Sequence, residues 1–337
     1  MNILFTCAGR RNYLLQYFKE TLGDRGTLVA ADMDITAPAL AVADKARVVP
    51  EVYADNYVES LLAICRSEQI MALISLNDLE LPILASARKD FEEIGVKLII
   101  SKEEVVDICF DKYRTVQFCD RIHIATPLTY LTLEEAIRAI EAGHLEFPVV
   151  VKPRWGSASV GIEFPGTMEE LKLAYRLATL KISHSILAEA SKQDLEQSVL
   201  IQQKIHGTEY GLDILNDFSG RTVQVYAKEK LAMRAGETDK SVLRNEPELE
   251  QTGFLVGEAL GHIGNVDCDI FVKDGKQYLL EINPRFGGGY PFSHMSGADY
   301  PAAICSWLEG REFDFSAFRR IYDVPYAKCD TLLKVLH

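Results

Sequence analysis

The chain predicts an α/β half built on a parallel sheet, followed by an α+β half rich in antiparallel strands. Over the first hundred residues, short β-rich runs alternate with amphipathic helical stretches, which is the βαβ pattern of a parallel sheet. After about residue 198 the texture changes to closely spaced strands with few helices, as antiparallel pairing gives. Within that half Asp274-Gly275 separates two apolar runs, a hairpin signal because both residue types accept the positive φ of a tight two-residue turn.

Taken in order, strands are expected over 2–6, 27–31, 70–75 and 96–100, with helices between them. The turn after the first strand, Cys7-Ala8-Gly9-Arg10-Arg11, has one glycine, so the dinucleotide-binding fingerprint is missing. Gly9 and Arg10, with Ser75, Asn77 and Asp78 after a later strand, fall at the carboxyl edge where open α/β sheets hold ligands. Asp32 and Asp34 either hold a hydroxyl group or end their strand. Ser101-x-x-Glu104 reads as a capping box, and a second helix follows Asp111-Lys112, which puts a boundary near 100–112. Thr132-x-x-Glu135 and Thr167-x-x-Glu170 start two more helices by the same chemistry. The later strands are expected over 199–203, 209–215, 222–228, 266–272 and 277–282.

A length of 337 residues allows two or three domains with an ample core. The net charge of −13 argues against a general nucleic-acid or anionic-membrane surface, since both need basic patches. Seven scattered cysteines without a CxxC indicate neither a disulfide framework nor a zinc site. The apolar start is too short for a signal segment, and no run of 18 apolar residues occurs. A cytoplasmic protein with no membrane or nucleic-acid partner is expected.

The densest chemistry lies in LLEINPRFGGGYP, Leu279 to Pro291. Side chains at i and i+2 of a strand share a face, so Glu281 and Asn283 present hard oxygens together, as Mg²⁺ requires when it also meets nucleotide phosphates. Arg285 supplies a planar fork for phosphate oxygens, and the glycines 287–289 let a substrate approach the backbone. Upstream, FPVVVKPRWGSASVGI places Lys152 at the end of an apolar strand, before a small-residue loop containing Gly156, Ser157 and Ser159. Such a loop lets N–H groups approach anionic oxygens, and the lysine adds a point charge. No GxxxxGK[ST] occurs, so this is not a Walker-type site. Two strands over 199–215 meet at a turn at His206 to Thr208, leaving backbone groups at Gln203 and Ile205 for an adenine edge and Glu209 for ribose hydroxyls.

In order and spacing these pieces resemble the ATP-grasp superfamily, most nearly its carbamoyl-phosphate-synthetase-like branch. The resemblance covers most of the chain and implies a Rossmann-like pre-ATP-grasp domain over 1–100, an ATP-grasp domain over 101–310 and a C-terminal tail over 311–337. It implies that Lys112 and Lys152 contact ATP phosphates, that Gln202, Gln203, Ile205 and Glu209 line adenine and ribose, and that Asp269, Glu281 and Asn283 hold Mg²⁺, with Mn²⁺ as a substitute. Asp267 and Asp269 share a strand face; Asp269 is favoured as the ligand because the Asp274-Gly275 turn pairs it more evenly with the Glu281 strand. Arg285 and Arg234, the latter expected in a polar break between strand and helix, would stabilise transferred phosphate and the tetrahedral intermediate. His294 either orients a substrate or packs against its aromatic neighbours.

The implied activity is an ATP-dependent carboxylate–amine ligase acting through an acyl phosphate on small-molecule substrates, compatible with a homodimer. The alternatives are an ATP-binding regulatory module without catalysis and a biotin- or bicarbonate-carboxylase-like enzyme.

Overall fold

Residues 1–156 and 161–336 are described by a computed structural model. The first five strands, β1 (Ile3–Thr6), β2 (Leu28–Asp32), β3 (Lys45–Val48), β4 (Ala72–Ser75) and β5 (Lys97–Leu98), form one sheet of order β3-β2-β1-β4-β5, with every pair parallel. Alternation along β1 sets the layering. Ile3 and Phe5 join Leu14 and Phe18 of helix Asn12–Leu22 on one face, while Leu4 joins Tyr57, Leu61 and Leu84 on the other. β3 has no counterpart in the expected strands because KARV carries two cations and one valine, and its side chains lie exposed or half-buried at the sheet edge.

A three-stranded antiparallel sheet follows, with β8 (Val199–Gln203) between β6 (Thr129–Tyr130) and β7 (Val149–Pro153). Helix Met168–Ser183 covers it with Leu171, Ala178 and Ile182. Both threonine caps form: Thr132 accepts from the Glu135 N–H and Thr167 from the Glu170 N–H. Ser101 does not cap. Its helix starts at Glu103 after Lys102, and the Ser101 hydroxyl accepts instead from the Ile263 N–H at 3.1 Å, which joins this segment to the third sheet.

That third sheet has the order β13-β12-β9-β10-β11-β14. Its members are β9 (Thr208–Asn216), β10 (Thr222–Arg234), β11 (Glu237–Leu243), β12 (Gly264–Lys273), β13 (Lys276–Asn283) and β14 (Pro325–Ala327), paired antiparallel throughout. Asp274 and Gly275 make the β12–β13 turn with φ of 51° and 74°. The break after Arg234 is a second tight turn, between strands and not between strand and helix, with positive φ at Ala235 and Gly236. One apolar core runs from the parallel sheet through Leu215, Tyr226, Tyr290 and Tyr300, so the two halves pack as one body. Among the described residues no helix is long and apolar enough to cross a membrane.

Candidate active site

A cleft of about 770 Å³ runs between the three-stranded sheet, the six-stranded sheet and the loops at the carboxyl edge of the parallel sheet. It brings together Lys112, Lys152, Gly156, Gln202, Gln203, Ile205, Glu209, Asp269, Glu281, Asn283 and Arg285. Ser157 and Ser159 lie outside the described residues.

The acidic floor follows from strand register. Asp269 stands opposite Glu281, and Asp267 opposite Asn283, on β12 and β13. Since positions two apart share a face, all four side chains are presented to the cleft, which they line. The register therefore places Asp269, as expected, directly across from Glu281. Burial pushes the Asp269 carboxyl up to about 7, with Lys230 opposing and Asp267, Glu281 and Glu209 adding to the rise. Burial also acts to raise Glu281, but Lys112 and Lys152 outweigh it and hold that carboxyl below the usual range. Two carboxylates and an amide oxygen, close-set and mutually repelling, are a hard-oxygen donor set, and this set fits Mg²⁺.

Cations surround that floor. Lys152 is 3% exposed, and burial pushes its ammonium down to about 8, Lys112 adding to the fall while Glu281 and Asp269 oppose it. Lys112 is the first residue of helix Lys112–Arg121, which Asp111 caps by accepting from the Tyr113 and Arg114 N–H groups; its Nζ donates to the Gly156 carbonyl. Arg154, two residues beyond Lys152, grips both oxygens of Asp111 through Nε (2.8 Å) and Nη2 (2.6 Å). The pair clamps the lysine strand to the lysine helix. Lys230, absent from the expected set, places Nζ 2.7 Å from both Glu209 and Asp269; burial opposes its charge, yet the two carboxylates hold it above the ordinary lysine range. Its one trace in the sequence is that Lys228 and Lys230 stand two apart, with Glu229 between them, on the strand Thr222–Arg234.

At the end of the cleft lined by Gln202, Gln203 and Ile205, Gln202 donates Nε2 to Thr129 Oγ1 at 2.8 Å, and its buried Oε1 has no partner among the described residues. The Gln203 N–H is not free for a ligand: it donates to the Leu128 carbonyl at 2.8 Å, because β6 runs beside β8.

At the other end Arg285 donates through Nε and Nη2 to Asp78 Oδ2 at 3.1 and 2.6 Å, and Nη1 lies 3.7 Å from Asp267. Its fork thus ties the β13 loop to the parallel-sheet half. A Cβ at Gly287 would sit 2.1 Å from Asp267 Oδ2, so glycine is what lets this loop close on the acidic floor. Arg234 is not brought into the cleft. It ends β10, half-exposed at the hairpin tip, and pairs with Asp239 and Asp330. Arg10 is likewise exposed, and the cation that reaches the cleft from that loop is Arg11, since the turn ends there as helix Asn12–Leu22 begins. Asp32 ends its strand by accepting from the Gly9 and Asp34 N–H groups. His294 packs: it stacks on Tyr17 at 3.7 Å and hydrogen-bonds the Tyr290 hydroxyl.

The chain is similar to known proteins over most of its length. A family profile described as "PylC-like, N-terminal domain" matches residues 3–99, and one described as "ATP-grasp domain" matches residues 109–289. The carbamoyl phosphate synthase large chain of Vibrio vulnificus is 25% identical over 283 residues, 80% of this chain and 25% of that protein. That of Pyrococcus furiosus is 25% identical over 252 residues, 71% of this chain and 22% of that one. The chain spans about a quarter of the length of these curated relatives. Among solved structures, a biotin carboxylase from Campylobacter jejuni superposes with a TM-score of 0.74 at 16% identity, covering 95% of this chain and 73% of that one. An L-amino acid ligase from Bacillus licheniformis does so with 0.70 at 18%, covering 94% and 77%. These likenesses show the fold, and with the 109–289 match spanning more than half of its length the chain belongs to the ATP-grasp family.

Proposed function

We propose that the chain is an ATP-dependent ligase joining a small carboxylate to an amine through an acyl phosphate, with release of ADP and phosphate. The observation that carries this is a set of three carboxylates, Asp267, Asp269 and Glu281, with the Asn283 amide on one sheet face, met in the same cleft by Lys112, Lys152, Lys230 and Arg285. A passive nucleotide binder has no need of paired carboxylates at a phosphate site. Proteins similar to this chain include carbamoyl phosphate synthase large chains and an L-amino acid ligase, names that agree with the reading.

In this reading residues 1–100 supply the acceptor side and residues 101–310 the nucleotide body. Asp269, Glu281 and Asn283 would hold Mg²⁺, which when bound neutralises phosphate oxygens and fixes their geometry. Lys112 and Lys152 place positive charge on the phosphates, Lys152 in a buried setting where each charge acts strongly. Gln202, Ile205 and Glu209 line the base and sugar, with Lys230 neutralising Glu209 and Asp269 in turn. Arg285 and Arg11 stand at the acceptor end, where negative charge builds as the phosphoryl group moves, so catalysis is positioning and electrostatics without a protein nucleophile.

The test is an isotope transfer. Small carboxylates, each ¹⁸O-labelled, are incubated with the enzyme, Mg²⁺, ATP and an amine pool. Attack of the carboxylate on the γ-phosphorus, then of the amine on the acyl carbon, leaves one labelled oxygen on inorganic phosphate and makes ADP. Label on AMP, with pyrophosphate released, would overturn the acyl-phosphate route; no melting shift with Mg-ATP would overturn the ATP site itself.

A further inference from the structure

At the acceptor end three segments distant in sequence meet on one carboxylate. Glu237, the first residue of β11, lines the cleft. Its Oε1 lies 3.3 Å from Nη1 of Arg11, which follows β1, and its Oε2 lies 3.1 Å from Nζ of Lys328, just beyond β14. Burial opposes the charge on Glu237, but Arg11 and Lys328 outweigh it and hold the carboxyl below its ordinary range. The Arg11–Glu237 pair rests on the glycine loop that carries Arg285: a Cβ at Gly288 would lie 2.8 Å from Arg11 Nη1 and 3.0 Å from Glu237 Cδ. Arg11 is anchored on its other side, donating to the Tyr13 hydroxyl at 2.9 Å.

The guanidinium thus faces the reacting end of the cleft with its charge already answered by a residue of the chain. Arg285 is committed to Asp78, and Lys228 and Lys230 to Asp213 and to Glu209 with Asp269. Arg11 differs from these in that its partner is 48% exposed on a hairpin and has a second cation to fall back on. A half-exposed ion pair is worth little, so an outside anion can compete for it.

We propose that Glu237 occupies on Arg11 the place of the acceptor's carboxylate and yields it to an incoming small carboxylate, while Lys328 keeps the displaced Glu237 neutralised. The proposal rests on the ligase reading and names the group at its acceptor end. Glu237 is then a competitor that sets acceptor affinity, and Lys328 a positioning residue that weakens the competition. The two should move affinity in opposite directions, which a structural role of either does not produce.

The experiment measures binding of acetate, succinate, L-aspartate and bicarbonate by melting shift in the presence of Mg-ADP, for the wild type, E237Q, K328Q, K328R and E237Q/K328Q. E237Q should bind the preferred carboxylate about threefold more tightly and K328Q about threefold more weakly, the scale of one half-exposed ion pair. K328R should match the wild type, and the double variant should match E237Q, because Lys328 has nothing left to hold. Weaker binding by E237Q, or no shift with any of the four in both wild type and E237Q, overturns the proposal. A wild type that ignores Mg-ATP while E237Q still tightens carboxylate binding overturns the ligase reading and leaves the displaced pair standing.

Discussion

Replacing Lys228 by methionine should cost about 3 kcal/mol of stability, although Lys228 is not among the residues that line the cleft. Its side chain is 1% exposed and its Nζ lies 2.6 Å from Oδ2 of Asp213, whose side chain is 0% exposed. Methionine nearly preserves the volume that packs Cε against Gly289, where a Cβ would lie 2.6 Å away. The loss is therefore the charge. Asp213 keeps two neutral donors, Ser293 Oγ at 2.5 Å and Asn265 Nδ2 at 3.2 Å, but it becomes an uncompensated buried anion. Breaking such a pair costs about 3–5 kcal/mol, and the surviving donors put this case near the lower figure. With a urea slope of about 3 kcal/mol/M, the midpoint should fall by about 1 M. Equilibrium unfolding followed by far-UV circular dichroism reads this directly. K228M/D213N, with both charges removed, should recover more than half of the loss, because neutral partners do not carry the desolvation penalty of an unpaired ion. A midpoint for K228M within about 0.3 M of the wild type, or a double variant less stable than K228M, would refute the argument.

Three further outcomes follow from the site. Glu281→Gln should retain the fold and measurable Mg-ATP affinity but lose ADP release by at least about a hundredfold, since the carboxylate opposite Asp269 is removed from the proposed metal donor set; release at the wild-type rate would clear Glu281 of the role. Arg154→Lys can hold only one of the two Asp111 oxygens that the guanidinium grips, so the KM for ATP should rise about fivefold in steady-state assays with little change in melting temperature, and an unchanged KM would remove the clamp from the mechanism. His262 is 0% exposed, and burial pushes its imidazole down from 6.5 to about 4. Between those values the unfolded chain binds the proton and the folded one does not, so stability is intact above about pH 6.5 and falls by roughly 3 kcal/mol as pH drops to about 4. H262Q should show a flatter urea-midpoint profile across that window, and parallel profiles would refute the assignment.

What the sequence disclosed and what it hid separate along a physical line. Strands with strong alternation or apolar runs, such as β1, β8 and β12, are legible because burial on a defined face dictates their residues. β3 was hidden because an edge strand needs no apolar face. Helix caps at Thr132 and Thr167 form because nothing competes for their hydroxyls, whereas Ser101 was lost to a tertiary partner 162 residues away. The cluster from Glu281 to Arg285 was readable since its members are close in sequence and share one strand face. Lys230 and Arg11 were not, because their place in the cleft depends on which strands pair and how the first loop turns. Arg234 misled for the same reason: its polar neighbourhood is a solvent-exposed hairpin tip.

The last strand of the six-stranded sheet has a bearing on how the chain is made. β11 pairs on its outer side with β14, Lys240 opposite Ala327 and Ser241 opposite Tyr326. During synthesis the backbone groups of β11 therefore face solvent, or another chain, until residue 327 has left the ribosome, by which time the rest of the sheet can already be assembled. An open edge of this kind is a template for intermolecular pairing. The cover is three residues long and begins with Pro325, which lacks a donor and discourages a further strand from adding outside it. Ion pairs stand on either side of it, Asp323 with Arg244 and Asp330 with Arg234. Closing that edge late in synthesis shortens the window in which another chain can pair with it.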